Sequence, residues 1–363
     1  MKKDRRNRTS PAALGKPPEL PKPLPRSEAC QSVSEAHEAT LKAIILAPLS
    51  AGKSTLLNAL IGEELLPARN EACTSKLFRL ENREQGPWLA RCSHGKAIAK
   101  WQPATTSLLE VFNRLPETGL IELAGPLHSI RTFTTKLVLC DTPGPNNARD
   151  PSHGAMTRQL LSEGVAGLVV YVLNATQLGI DDDAHLLRQL RRSVGDTRVA
   201  PQLVFVLNKA DQLDEEHGES LAHSMVQARN YLLDLGFPQP IIIPVCASAA
   251  LQARKLKAGL PLTRKERGEL ESFIVLHAGK PHQWLNSAFL PCAIKTRSLQ
   301  RLRTLEGIEP DITYESGPLR CTRRQLETVI VQSGIRSLEL IIEELMLECR
   351  LSAPSSKHGK DTF

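Results

Sequence analysis

Five apolar, strand-like runs in this 363-residue chain each end at a polar motif, and that coincidence restricts the fold more than any other feature. Leu41–Leu46 runs into Ala47-Pro-Leu-Ser-Ala-Gly-Lys-Ser-Thr55, and Lys136–Cys140 runs into Asp141-Thr-Pro-Gly144. Gly167–Leu173 ends at Asn174-Ala-Thr-Gln177, Gln202–Leu207 at Asn208-Lys-Ala-Asp211, and Ile241–Val245 at Cys246-Ala-Ser248. Helical patterns fill intervals between them, as over Ser54–Ile61, Asp183–Ser193 and Glu219–Leu235. Alternation of this kind predicts an α/β fold, a mostly parallel sheet with helices on both faces. Ligands in such folds bind beyond the carboxyl ends of the strands, where every motif here falls.

The first motif matches the phosphate-cradling pattern GxxxxGK[ST] except at its first position, and it implies a P-loop NTPase. Its backbone N–H groups wrap phosphates at a helix N-terminus. Lys53 is a point charge for the β/γ-phosphates, and the Ser54 hydroxyl is the expected Mg²⁺ ligand. Asp141, at a strand end, is placed to hold that metal's water shell, and Gly144 lets its N–H approach a γ-phosphate. Asp211 offers a carboxylate for the paired N1–H and N2 donors of guanine, a pair that adenine lacks. Each motif alone is an ordinary polar turn; the set, in this order at successive strand ends, is not. The expected nucleotide contacts are Leu49, Ser50, Ala51, Gly52, Lys53, Ser54, Thr55, Asp141, Gly144, Asn208, Lys209, Asp211, Ser248 and Ala249. A GTPase also needs a switch threonine on Mg²⁺, and Thr74 is the candidate, set against the alternative of a surface-loop threonine. Ala47 replaces the loop's first glycine and Pro48 removes a backbone N–H, which predicts weakened affinity.

The formal charge of +7 is not spread over the chain. Residues 1–26 hold eight Lys/Arg and two acids, so six of the seven net charges sit there. With six prolines and few aliphatics, residues 1–36 are expected to form a disordered basic arm, without the apolar stretch of a secretory leader. Such an arm gives at most weak, salt-sensitive contact with anionic membrane or nucleic acid, and it has no aromatic residue for base stacking. Eight scattered cysteines with no C-x-x-C spacing fit reduced thiols and neither a zinc site nor a disulfide scaffold. No apolar run spans a bilayer. The expected location is cytoplasmic, or peripheral at the inner membrane.

Lys76–Leu80, Trp88–Cys92 and Lys96–Ala99 read as short strands of an insertion within 75–130. Residues 251–317 show weak periodicity and are expected to be an irregular surface insertion with some helix. Order returns at a Thr322/Gln325 capping box and a last amphipathic helix from Ser333-Gly-Ile335 to about Glu348. The domain reading is therefore 1–36 arm, 37–350 one nucleotide-binding domain, and 351–363 tail.

Residues 49–62 (Leu-Ser-Ala-Gly-Lys-Ser-Thr-Leu-Leu-Asn-Ala-Leu-Ile-Gly), Leu65-Leu-Pro67 and Cys73-Thr74 resemble the bacterial dynamin-like GTPases. So do Asp141 to Asn147, Leu173 to Leu178 and Asp181-Asp-Asp183, which look like the branch that includes the enterobacterial clamp-binding dynamin-like protein. The resemblance covers about Leu41–Ala249. It implies a dynamin-type G domain with insertions that hydrolyses GTP to GDP and phosphate with Mg²⁺. It also implies hydrolysis supported by Ser50 and Thr74 alongside Lys53 and Gly144, metal held by Ser54, Thr74 and Asp141, and a nucleotide-dependent homodimer. A replication clamp or a stalk-bearing protein is the further partner it suggests, since the chain stops soon after its last apolar helix. The alternative is a catalytically weak GTP-dependent binding module that recruits a partner.

Overall fold

The computed structural model describes residues 39–67, 76–94, 97–115, 118–132, 135–142, 166–195, 200–280, 282–307 and 312–352, all within one compact unit, 38–363. Chain order begins β1 (Thr40–Leu46), α1 (Lys53–Ile61), β2 (Leu77–Asn82), β3 (Leu89–His94), β4 (Ala97–Ile98), β5 (Gln102–Pro103), α2 (Thr106–Arg114) and β6 (Thr118–Gly125). The central alternation follows as β7 (Lys136–Asp141), β8 (Ala166–Asn174), α3 (Asp181–Gly195), β9 (Gln202–Asn208), α4 (Leu221–Asp234) and β10 (Ile241–Val245). Four helices come next: α5 (Ala247–Lys257), α6 (Arg264–His277), α7 (Gln283–Ser287) and α8 (Cys292–Glu306). A hairpin of β11 (Thr313–Ser316) and β12 (Leu319–Thr322) leads into α9 (Arg323–Gln332) and α10 (Ile335–Ser352).

The large sheet has the order β10-β9-β8-β1-β7-β2-β6-β3-β4, with β5 added on β3. Five strands, β7, β1, β8, β9 and β10, run parallel. Residues 168–173 of β8 are buried without a break, as a strand covered on both faces requires. The register sets Ile45 beside Asp141 and Asn174 beside Asn208, so the strand-end motifs leave one rim of the sheet together.

The expected short strands at 76–99 are β2, β3 and β4, and they widen the sheet instead of forming a separate insert. β2 is antiparallel to β7, and β6, which joins the two halves, pairs parallel with β2 and antiparallel with β3.

Residues 251–317 depart from expectation. They are mostly helix, and α6, α7 and α8 bury Leu270, Phe273, Trp284, Ile294, Leu302 and Leu305. The capping box at Thr322 is present, with the Thr322 hydroxyl accepting from Gln325 N–H and the Gln325 side chain accepting from Thr322 N–H. α10 packs on α9, α8 and β1. Its Glu339 and Glu343 are buried and paired: Glu339 with Arg254 and Arg336, Glu343 with Arg336 and Arg297. No helix among the described residues is long and apolar enough to cross a membrane.

Candidate functional site

The loop from β1 to α1 turns through two left-handed residues, Ser50 (φ 61°) and Gly52 (φ 90°). Gly52 caps α1, whose first intrahelical bond is Leu56 N–H to Gly52 C=O at 2.9 Å. The N–H groups before Leu56 have no intrahelical acceptor and point out of the helix end, the arrangement that attracts anions. Ala51 is buried inside the loop, Leu49 is exposed on its crest, and Ser54 and Thr55 are half-buried in the first turn. The Ala47 methyl is buried as well.

Lys53 is only 7% exposed. Its ammonium donates to Asp141 Oδ1 and to the Thr142 carbonyl. Thr142 Oγ1 in turn donates to Ile45 C=O at 3.0 Å, which ties the end of β7 to β1. Burial pushes the Asp141 carboxyl above its ordinary range, against the pull of the Lys53 charge. Asp141 Oδ2 is buried and has no hydrogen-bond partner among the described residues. A buried carboxylate oxygen with no hydrogen-bond partner among the described residues suits the water shell of a divalent cation. Asp141 therefore fits Mg²⁺, and Ser54 and Asp141 are the residues that would hold it.

Asn208 joins the β1–α1 loop to the start of α5. Its amide Nδ2 donates to Ala51 C=O at 2.8 Å, and its Oδ1 accepts from Ala247 N–H at 3.2 Å. A Cβ on Gly52 would lie 2.3 Å from that amide nitrogen, so the glycine is needed for space as well as for φ. Lys209, left-handed at φ 60°, turns the chain into the short turn that carries Asp211. Burial raises the Asp211 carboxyl, and a hydrogen bond to the Cys246 thiol is the largest opposing effect.

Cys246 directly follows β10 and caps α5, its sulfur accepting from Ala249 N–H at 3.5 Å. Its own N–H donates to Ser333 C=O at 3.0 Å, which ties this loop to the α9–α10 corner. Gly334 at that corner is left-handed (φ 80°), and an added Cβ would stand 2.1 Å from Pro244 O.

Ala51, Gly52, Lys53, Asp141, Asn208, Asp211 and the start of α5 thus lie at one rim of the sheet. Ser248 and Ala249 are the second and third residues of α5; Ala249 is buried, and its N–H is spent on Cys246. The switch candidates Thr74 and Gly144 lie outside the described residues. Thr142, Cys246 and Ala247 lie within the motifs read from the sequence but are given no role of their own there. The available signal was position, since each directly follows a buried strand or its first polar residue.

Residues 44–210 match the model of the Dynamin family. Two solved structures of an oligomerised bacterial dynamin pair, described as a mechanism for long-range sensing and tethering of membranes, are similar at 16% identity and a TM-score of 0.45. The first alignment covers 73% of this chain and 43% of that one; the second covers 74% and 53%. The chain thus spans about half the length of the solved chains it matches. None of the curated proteins matches it. The fold is a large, mostly parallel sheet flanked by helices, an arrangement that matches a dynamin-type P-loop G domain.

Proposed function

We propose that this chain binds guanine nucleotide with Mg²⁺ and hydrolyses GTP to GDP and phosphate. The observation that carries the reading is the Asn208 amide, which ties Ala51 of the phosphate loop to Ala247 of the base loop. One ligand with phosphates at one end and a base at the other explains why a buried side chain joins those two loops and no others. Asp211 beyond Asn208 supports guanine as the base. The paired donors N1–H and N2 meet a carboxylate, whereas adenine would leave it unmatched and desolvated.

In this reading Lys53 moves its ammonium from Asp141 and Thr142 to the β/γ-phosphate oxygens. Ser54, Asp141 and Thr74 would hold Mg²⁺, which would supply positive charge against the phosphates. The loop N–H groups of Leu49 to Thr55 wrap the β-phosphate, Ser50 closes the loop over it, and the Gly144 N–H contacts the γ-phosphate. Thr74 orients water for in-line attack: the new O–P bond forms on the γ-phosphorus as the bond to the bridging oxygen breaks. GDP leaves with that oxygen, and the proton of the attacking water passes to the released phosphate or to solvent.

Turnover of GTP by the purified chain, with ATP as competitor and Lys53→Ala as control, tests the reading. Guanine-selective binding with Lys53-dependent phosphate release is expected. Equal affinity for GTP and ATP, or turnover unchanged in Lys53→Ala, would sink it.

One observation favours a second reading, a slow GTP-dependent binding module: the buried methyl of Ala47 at the loop's first position. GTP binding without measurable release of phosphate is its signature. The finer placement, on the clamp-binding branch with a homodimer across G domains and a clamp or stalk-bearing partner, rests on the residue runs 141–147, 173–178 and 181–183. A cytoplasmic protein, peripheral at the membrane through its basic arm, completes the proposal. Specific activity that rises with protein concentration is the sign of the homodimer, and a flat rate speaks against it.

A further inference from the structure

The two helices that begin at the candidate nucleotide site end at a second recess. α1 starts at Lys53 and ends at Ile61, and α5 starts at Ala247 and ends at Lys257. At about 1.5 Å per residue they are roughly 14 and 17 Å long, so the two sites lie at opposite ends of both helices. Arg254 pins the far ends together by donating to Ala59 C=O. Beyond them a cleft of about 1230 Å³ opens between α5, α8, α9, α10 and the β6–β7 loop.

The cations of this cleft outnumber the acids that hold them. α8 contributes Arg297, Gln300, Arg301 and Thr304, spaced i, i+3, i+4 and i+7 and so on one face. α5 adds Arg254 and Lys257, α10 adds Arg336, and the β6–β7 loop adds Arg131. The carboxylates opposite them are shared. Glu327 serves Lys257 and Arg301, Glu339 serves Arg254 and Arg336, and Glu343 serves Arg336 and Arg297. Five cations thus stand on three acids, with Glu344 a further partner for Arg297 alone among the described residues. Arg131 is exposed, and its guanidinium makes no ion pair among the described residues. Glu63 is the remaining acid of the lining, which therefore sets six Lys and Arg side chains against four Glu.

We propose that this cleft is a second binding site, for a small molecule that carries several phosphate groups. Five of its six Lys and Arg side chains are arginine, whose forked N–H donors match phosphate oxygens in pairs. The contacts from Arg297 to Glu343 and from Arg301 to Glu327 are both long, at 3.5 Å, so each guanidinium keeps N–H donors for a ligand. The buried Glu339 and Glu343 hold Arg254 and Arg336 in place behind them, which orders that wall before any ligand arrives. The cations come from three helices and a loop around a space far larger than one phosphate, and that arrangement selects a ligand with several anionic groups. None of these residues belongs to the nucleotide pocket, so the assignment stands apart from the guanine reading.

The test titrates inositol hexakisphosphate, without added metal ion, into the full chain as wild type, Arg131→Gln, Arg301→Gln, their double variant, Glu63→Gln and Arg320→Gln. Arg131 and Arg301 are exposed, so these variants are expected to fold, which melting temperatures check. Arg320→Gln removes the same charge from an exposed site on β12, outside the cleft. Saturable binding to wild type is expected, about tenfold weaker in each cleft arginine variant, the scale of one lost hydrogen bond to a charged group. The double variant should lose more, Glu63→Gln should bind more tightly, and Arg320→Gln should match wild type. No binding to wild type, an unchanged affinity in the double variant, an equal loss in Arg320→Gln, or weaker binding in Glu63→Gln overturns the proposal. Vesicles of phosphatidylcholine and phosphatidylglycerol separate the two sources of such a ligand. Sedimentation with them that is lost in the double variant marks a lipid headgroup, and sedimentation equal in wild type and double variant marks a soluble phosphate compound.

Discussion

Gly52 and Asn208 are fitted so closely that a single carbon added to the glycine would lie 2.3 Å from the asparagine amide nitrogen. That nitrogen is not free to retreat, because it is bonded to Ala51 C=O while its partner oxygen holds Ala247 N–H. Replacing Gly52 by alanine therefore combines a left-handed strain with the loss of a buried hydrogen bond. The expected cost is about 2–4 kcal/mol of folding stability, with loss of nucleotide binding. Urea unfolding and nucleotide titration on one preparation check it, and a variant as stable as wild type would show that the Asn208 bridge is dispensable.

Lys53→Ala removes more than a phosphate contact. Asp141 is fully buried, and Lys53 is the cation it is paired with. Breaking a buried pair costs about 3–5 kcal/mol, here partly offset because Asp141 takes up a proton. The folded-state pKa of Asp141 is already raised, and without Lys53 it rises further. The folded variant then holds a proton that the unfolded chain releases, so its stability falls as pH rises through that raised value. Denaturation midpoints across a pH series give the slope. No pH dependence beyond that of wild type would contradict it.

Guanine binding should weaken as pH falls. Asp211 accepts the base's donors only as a carboxylate, and burial raises its pKa above the ordinary carboxylate range. GTP affinity is thus expected to begin falling above that range, while ATP affinity, which does not use this carboxylate, stays level. The stability of the free protein changes in the opposite sense: the neutral carboxyl is favoured in the fold, so this group's contribution is lost as pH rises through the raised pKa. Parallel titrations of both nucleotides separate the two effects, and identical pH profiles would refute the role given to Asp211.

Arg336 lies 3.1 Å from Glu339 and 3.0 Å from Glu343, two buried carboxylates on α10. Arg336→Met keeps much of the packing and leaves both acids short of a cation, for an expected loss of about 3–5 kcal/mol. Nucleotide affinity should not change at a temperature where the variant is folded. A loss below about 1 kcal/mol would mean that Arg254 and Arg297 suffice.

The pocket was legible because its residues sit at strand ends, where hydrophobic runs stop abruptly and register is carried by the sheet. What was not legible depends on packing partners far along the chain. β6 was missed because its pairing with β2 joins Leu77 to Leu120, a distance that no local pattern reports. α8 was taken as irregular because it buries only a narrow stripe, Ile294, Ser298, Leu302 and Leu305, among exposed cations such as Arg297 and Arg301. The start of α5 at Ala247, directly after Cys246, was not read for a different reason. Cys246 is the residue that caps α5, and a cysteine is not the residue type from which a helix start is usually read.

The widened sheet also decides how this chain meets its neighbours. In a sheet that stopped at β2, that strand would carry a row of unpaired amides to the surface, but here β7 and β6 pair with it on its two sides. At one end of the sheet β4 is two residues long. At the other, β10 contains Pro244, which has no N–H to offer, and Ile242 is already bonded in both directions to Phe289, at 2.9 and 3.0 Å. Neither rim among the described residues offers a ladder on which a foreign strand can build. Through the large sheet, association with a second copy or another protein is therefore left to side chains and loops, and that sheet is protected from edge-to-edge stacking.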